Sequence, residues 1–357
     1  MKIVFTGDFF YDYEYMAPDL KIIGDYFRSN DRISIINYEG VYPGEGLRPI
    51  KKRGARLMQG RFSLNALKEL SAAGVCLANN HTMDFGEAGL RGTLKALDKA
   101  GIFHAGAGMN LSRALMPIVL QESHSKRIAI FNFGWKGEET VYAGLFRGGS
   151  APRERTIIIQ TLQKYKNAHP RDDIIVVLHW SFEFSIYPMP CDIALAKELL
   201  GLDSVKLIIG HHPHNVQPVE VYNGKKCFFS LGNFYFGSKR AGFKREFPGE
   251  IKDLCTIGRI VTYDTETGIA ESELIKYDRI EQVSAIVPET QDFLPMPKIN
   301  PDSVEYEALA RANSLRQNPI LTGRKVSDSC KMLRFDFKRN FQPKIRTLMR
   351  LMKGGGR

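Results

Sequence analysis

Apolar residues along the chain gather in runs of strand length, most stopped by glycine, asparagine or histidine and separated by stretches with helical spacing. The pattern predicts strands at Lys2–Thr6, Ile33–Asn37 and Val75–Ala78. Helices are predicted at Asp19–Arg28, at Ser63–Ala73 with the serine as cap, and at Gly86–Ala100. Residues Val41–Arg61 are rich in glycine, proline and basic groups and read as a long loop near a site. Pro117–Gln121 and Arg127–Phe133 read as a hairpin; a glycine-rich loop from Gly134 to Gly149, a helix from Pro152 to Ala168 and a strand at Asp173–Leu178 follow. A helix at Ile193–Leu200 leads into a strand from Val205. Gln217–Tyr222 and Lys226–Ser230 form a second hairpin, with Asn223-Gly224 as its turn signal. Thr256–Tyr263 and Glu271–Tyr277 complete the body. Patterning fades and proline content rises after Ile286. The expected organisation is a domain over residues 1–285, a linker over 286–300, and a helical, basic extension over 301–357 that begins with a helix at Val304–Leu315.

Polar residues with ligand chemistry fall where these strands stop. Asp8, Glu39, Asn80 with His81, His179, and His212 with His214 each follow a predicted strand. In α/β architectures the carboxyl ends of strands converge, and sites are built there. The run Val205–Ile209, Gly210, then His211-His212-Pro213-His214 is the densest case: the glycine permits a sharp exit and the proline stiffens the histidine spacing. Carboxylate, amide and imidazole together suit one or two divalent ions such as Mn²⁺, Fe²⁺ or Zn²⁺, and are too rich in nitrogen for calcium. Asp84 reads equally as a cap for the helix at Gly86 and as a contact for a ligand histidine. Lys51, Lys52, Arg53 and Arg56 read as a solvated basic loop, with reception of an anionic substrate as the alternative.

Composition narrows the setting. The five cysteines are odd in number and lack paired spacing, and Cys76 and Cys227 sit inside apolar runs, which favours a reducing compartment. No apolar segment reaches the roughly 18 residues needed to span a bilayer, and Met1–Asp8 enters a strand pattern without signal-peptide anatomy. The expectation is a cytoplasmic protein, or one peripheral at the inner membrane surface. The net charge of +11 is concentrated after Lys331, where basic residues alternate with Leu, Phe, Ile and Met. Such a tail suits an anionic membrane surface, an acidic polymer or an assembly partner, and equally a terminal helix packed on the body. Nucleic acid is the weaker partner class, since no base-reading motif accompanies the charge.

Taken in order, Gly7-Asp8, Asn37-Tyr38-Glu39, Asn79-Asn80-His81 with Asp84-Phe85-Gly86, Gly106-Ala107-Gly108, His179-Trp180 with Glu183, Gly210–His214 and Ser230–Phe234 resemble the ordered signature of the CapA family. These are poly-γ-glutamate capsule-synthesis-type proteins related to calcineurin-like metallophosphoesterases, and the resemblance covers roughly Met1 to Tyr277. It implies an α/β (α+β) four-layer sandwich of two mixed β-sheets flanked by helices. It further implies that Asp8, Glu39, Asn80, His179, His212 and His214 hold metal, that His211 is a neighbour, and that His81 contacts the leaving group. Glu183, on the strand-end segment after His179, reads equally as an orienting residue for His81 or for a ligand and as a salt-bridge partner of a nearby basic residue.

Two departures stand out. The usual Asp-x-His of the first superfamily motif is Asp8-Phe9-Phe10 here, and Asn37 and Glu39 replace the usual acidic arrangement of the second. Two functions follow from the resemblance. One is a metal-dependent hydrolase of a phosphoester or of an acidic capsular or poly-γ-glutamate-type polymer. The other is a non-catalytic metal-binding scaffold in a polymer synthesis or export complex. The ligand set favours the hydrolase, because His81 is not needed merely to hold a metal; the altered first motif and the basic tail favour the scaffold.

Overall fold

Strand alternation sets the layers. In the computed structural model, residues 1–28, 32–52, 54–122, 126–137, 139–238, 254–278, 282–289, 296–307 and 309–310 are described. The first half runs β1 (Lys2–Asp12), α1 (Pro18–Arg28), β2 (Arg32–Tyr38), α2 (Ser63–Glu69), β3 (Ala72–Cys76), α3 (Gly86–Ala100), β4 (Phe103–Ala105), β5 (Ala107–Gly108), α4 (Leu111–Ala114), β6 (Ile118–Gln121) and β7 (Arg127–Gly134). The second half runs β8 (Gly149–Ser150), α5 (Arg155–Ala168), β9 (Asp173–His179), α6 (Pro190–Leu200), β10 (Val205–His211), β11 (Val219–Tyr222), β12 (Lys225–Phe228) and β13 (Asn233–Ser238). It closes with β14 (Ile257–Asp264), β15 (Ala270–Asp278) and β16 (Gln282–Pro288).

One sheet has the order β16-β15-β14-β1-β2-β3-β4, with β13 also paired to β1; the other has the order β11-β12-β10-β9-β7-β6. Both are mixed: β1 to β4 are mutually parallel, as are β7, β9, β10 and β12, while the flanking strands include antiparallel pairs. Along β7 and β9, Ile128, Ile130, Ile175 and Val177 point into a core shared with Ile3, Phe5 and Ile35 of the first sheet. Their neighbours Ala129, Phe131, Val176 and Leu178 point the other way, onto Ile158 and Leu162 of α5 and Leu199 of α6. The outer face of the first sheet is closed by Leu20 and Phe27 of α1, Leu67 of α2 and Leu90 and Leu97 of α3. The result is four layers, helix–sheet–sheet–helix, as expected, with apolar runs wherever a strand is covered on both faces.

Several boundaries differ from the sequence reading. α2 ends at Glu69, not Ala73: the chain turns at Ser71, with φ of 52°, and Ala72 already pairs with Ser34 of β2. The small side chains let β3 start early, because Gly74 lies against Ile118, where a Cβ would sit 2.7 Å from Cδ1. Ser63 does not cap α2; its hydroxyl meets that of Tyr38 at 3.0 Å. Pairing of β16 carries the sheet to Pro288, three residues past the expected domain end. Residues 304–307 and 309–310 are helical, and Tyr306 is buried in the outer core of the second sheet, its hydroxyl donating to Pro188 O at 3.1 Å. The basic tail and Arg53 lie outside the described residues. Among the described residues, no helix is long and apolar enough to cross a membrane.

Candidate metal centre

The carboxyl ends of β1, β2, β3, β9 and β10 meet at one edge of the sandwich, and the polar residues gather there. Asp8 does not follow the end of its strand, as expected, but sits inside β1. Lys2–Phe5 pair with β14, whereas Asp8–Asp12 pair with β13, and the register slips at this change of partner. The chain passes so close to Gly232 that a Cβ on Gly7 would lie 2.1 Å from Gly232 O, and Asp8 N donates to that same oxygen at 2.8 Å. Such a bulge turns a side chain toward a site. On β9, the alternation that aims Ile175 and Val177 at the facing sheet aims His179 there too. On β10 the same face carries His211, whose Nε2 meets Thr6 O of the opposite sheet at 2.8 Å.

After β10 the backbone is forced. A Cβ on Gly210 would lie 1.9 Å from Phe229 O, and His212 and His214 have φ of 101° and 58°. Positive φ in a non-glycine residue costs roughly 1–3 kcal/mol and persists only where surroundings impose it. Here His212 N reaches Asp8 Oδ2 at 3.4 Å, and Phe184 N donates to Pro213 O at 2.9 Å.

Asp8, Glu39 and His179 each offer one ligand atom within 4.8 Å of the others, and all three are buried. The Asn37 amide spans the two carboxylates, donating to Asp8 Oδ1 at 2.8 Å and to Glu39 Oε1 at 3.3 Å. His179 Nε2 lies 3.1 Å from Asn80 Oδ1 and 3.9 Å from Glu39 Oε1. The His212 ring centroid is 4.6 Å from that of His179. His214 Nδ1 faces Asn233 Oδ1 at 2.8 Å and Asp8 Oδ2 at 3.2 Å. All six residues singled out from the sequence therefore share one network, with three of them converging on a single point.

The two remaining candidates fall on opposite sides. Glu183 faces His214, Oε1 to Nε2 at 3.6 Å. The carboxylate on His81 is Asp84, whose Oδ2 meets His81 Nδ1 at 2.7 Å, so of its expected partners Glu183 stands against the ligand candidate. The imidazole's Nε2 turns toward Asn80 Nδ2 at 3.3 Å. Asp84 does not cap α3, whose N-cap Phe85 has no side-chain hydrogen bond. Lys52, read as part of a solvated loop, is buried: its Nζ pairs with Asp84 Oδ1 and donates to Asn80 O at 3.1 Å. Sequence reasoning missed it because Lys51 beside it is exposed and has the same chemistry.

Burial raises the Asp8 carboxyl, yet the hydrogen bond and charge of His214, the charge of His211 and the Asn37 amide outweigh it and hold Asp8 below the usual carboxylate range. Asp84 is likewise low: burial raises it, and His81 and Lys52 more than reverse this. Burial, then the neighbouring histidines His212, His211, His214 and His81, push His179 well below an ordinary imidazole. Burial also lowers His211. An ionised carboxylate at Asp8 and a neutral imidazole at His179 are the protonation states that metal ligation requires. The donor set fits a divalent cation on a second count. Asp8 and Glu39 are both fully buried and share the Asn37 amide, and two buried carboxylates side by side are costly unless a positive charge lies between them.

The fold and this edge define a four-layer α/β protein with a candidate metal centre at its strand ends. The chain belongs to the family described as bacterial capsule synthesis protein PGA_cap, whose model matches residues 2–238. It is similar to the PGA biosynthesis protein CapA of Bacillus subtilis (strain 168), 34% identical over 182 residues, 50% of this chain and 47% of that one. It is also similar to the capsule biosynthesis protein CapA of Bacillus anthracis, 30% identical over 218 residues, 60% of this chain and 52% of that one. The chain thus spans about half the length of the curated relatives it matches. Among solved structures, a 5′-nucleotidase precursor from Thermus thermophilus is similar at 12% identity and a TM-score of 0.45, over 90% of this chain and 59% of that one. The calcineurin-like phosphoesterase YfkN from Bacillus subtilis is similar at 12% identity and a TM-score of 0.41, over 81% and 90%. Likeness at this level bears on neither activity nor substrate.

Proposed function

We propose that the chain is a metal-dependent hydrolase acting in the making of a capsule or other extracellular polymer, on a phosphoester or on an acidic polymer of the capsular or poly-γ-glutamate type. The observation that carries this reading is the His81–Asp84 pair. A metal centre built only to hold an ion has no use for an imidazole fixed at Nδ1 by a buried carboxylate, with its other nitrogen turned to the ligand Asn80. The names of the two CapA relatives, PGA biosynthesis and capsule biosynthesis, support the polymer class.

Asp8, Glu39 and His179 would hold the ion, with Asn80, His212 and His214 completing a set for one or two of Mn²⁺, Fe²⁺ or Zn²⁺. When bound, a divalent ion supplies Lewis-acid stabilisation of developing negative charge and lowers the pKa of water. The chain's residues do the rest. Asp84, kept ionised by His81 and Lys52, stabilises the imidazolium form of His81. The departing oxygen takes the Nε2 proton while the Nδ1 proton stays on its hydrogen bond to Asp84. Asn233 fixes the His214 ring through Nδ1, and Glu183 stands 3.6 Å from its Nε2.

The test is turnover by the Mn²⁺-reconstituted protein against a panel of phosphoesters and γ-glutamyl polymers. His81→Gln is expected to keep its metal and lose about 10²–10⁴-fold in rate. Absence of turnover across the panel would leave the same site as the metal-binding scaffold of an assembly complex, and full activity in His81→Gln would remove His81 from the catalytic step.

A further inference from the structure

Lys52 is the described lysine that the fold places deepest beside the site, with its side chain only 2% exposed. Burying an ammonium is costly without a partner, and the loop that delivers it is anchored to that partner twice. Ile50 N donates to Asp84 O at 2.8 Å, and Leu57 N donates to Asp84 Oδ2 at 2.6 Å. Between these anchors the chain arches over and sends Lys52 inward. From outside, the Arg56 guanidinium binds the arch's own carbonyls, Ile50 O and Gly54 O at 3.2 Å each and Lys52 O. Arg56 is therefore engaged as a brace rather than extended to meet a substrate.

Hydrogen-bond logic assigns the contacts. A carboxylate only accepts, so the 2.7 Å approach of Asp84 Oδ2 to His81 Nδ1 places the imidazole proton on Nδ1. Lys52 Nζ, 3.2 Å from that nitrogen, then has no lone pair to donate to there. It forms an ion pair with Asp84 Oδ1 and donates to Asn80 O. Both oxygens of Asp84 are thereby committed, one to Lys52 and one to His81 and Leu57, so the carboxylate cannot rotate away from the imidazole. The same ammonium ties down the backbone of Asn80, whose side chain lies between His179 and His81.

We propose that Lys52 is a positioning residue that locks the His81–Asp84 pair and the ligand candidate Asn80 into one unit. Its kinetic consequence rests on the hydrolase reading above; its spectroscopic consequence does not. An ammonium in this place fixes which nitrogen of His81 faces the site, and nothing about holding the ion requires it.

The experiment is ¹⁵N NMR of histidine-labelled full-length chain, with the His81 signals assigned by their loss in His81→Gln. The wild type is expected to keep His81 Nδ1 protonated in a single environment, with a slowly exchanging Nδ1 proton. Lys52→Met is expected to show averaged tautomers and fast exchange, and Lys52→Arg a partial return. If Lys52→Met does not fold, Arg56→Gln, which loosens the arch from the surface, is expected to move the same signals to a smaller extent. An unchanged His81 spectrum in the folded Lys52→Met protein overturns the proposal, as does an unchanged spectrum in Arg56→Gln where that variant stands in for it. A wild type without the Nδ1-protonated form also overturns it. In turnover, Lys52→Met is expected to lose about 10–100-fold on alkyl phosphoesters and far less on p-nitrophenyl phosphoesters, whose leaving group needs no proton; equal losses on both would mark a merely structural lysine. A wild type that turns over neither substrate defeats the hydrolase reading alone, because the spectra still decide the role of Lys52.

Discussion

At the carboxyl ends of the parallel strands, Asp8 and Glu39 lie fully buried within reach of one amide, while near the amino ends of β1 and β2 a cleft of about 960 Å³ opens among charged residues of both signs. The cleft is open and charged, yet its charges have local duties. Arg32 stacks over Tyr26 at 4.7 Å and lies 3.9 Å from Glu273. Lys226 donates to Ala270 O at 2.7 Å, and Asp264 accepts from the backbone of its own turn at 2.9 Å. Each of these contacts helps join strands or close a turn. The strand-end cluster instead concentrates acid, amide and imidazole in the interior, a state that strand packing does not reward. Chemistry in this fold is marked by buried like charge, not by the volume of a cavity.

Breaking the strand-end side of this comparison should give the largest effect. Asp8→Asn keeps the shape but removes a charge, and is expected to lower bound metal and to reduce turnover about 100-fold or more, beyond the usual cost of disturbing a ligand's support. Metal analysis of the purified variant checks it; full metal content would count against Asp8 as a ligand. Next is the backbone that carries the histidines. Gly210→Ala places a Cβ 1.9 Å from Phe229 O and is expected to destabilise the fold by about 1–3 kcal/mol, read from denaturant unfolding.

A pH series sharpens the contrast further. His179 and His211 have folded pKa values below their ordinary 6.5, so below that pH the unfolded chain binds protons that the folded chain refuses. Metal-free protein should hold its stability above about pH 6.5 and lose it as pH falls. Asp8 and Asp84, lowered from 3.8, add stability that is present above that value and is lost as pH falls through their folded pKa values. A urea midpoint unchanged between pH 7.5 and 5.5 would contradict the histidine assignment. The smallest effect belongs to the cleft: Glu271→Gln is expected to change stability by no more than about 0.5 kcal/mol and to leave turnover intact.

Much of this was legible in the sequence where the physics is local. The hairpin at Asn223-Gly224 forms because both residues take positive φ, 51° and 73°, as its tight turn needs. Double-sided burial of β9 and β10 shows as unbroken apolar runs, and their ends deliver His179 and the His212–His214 pair. What was not legible depends on partners distant in sequence. Asp8 lies inside its strand because β13, more than two hundred residues later, takes over pairing from β14. Lys52 differs from Lys51 only in which one the arch turns inward, and no local pattern encodes that. Asp84 looks like a cap by position but spends its carboxylate on His81, Lys52 and Leu57. The partner of Glu183 was open for the same reason: the residue lies close in sequence to His179 and close in space to His214.

The central claim is that buried carboxylates and imidazoles at the strand ends hold a divalent ion. A crystal of the Mn²⁺-reconstituted protein, with an anomalous difference map collected on the manganese edge, tests it most directly. The account predicts a peak bounded by Asp8, Glu39 and His179, with Asn80 and His212 beside it. A map with no peak at that point after reconstitution, or with its only peak elsewhere, would contradict it.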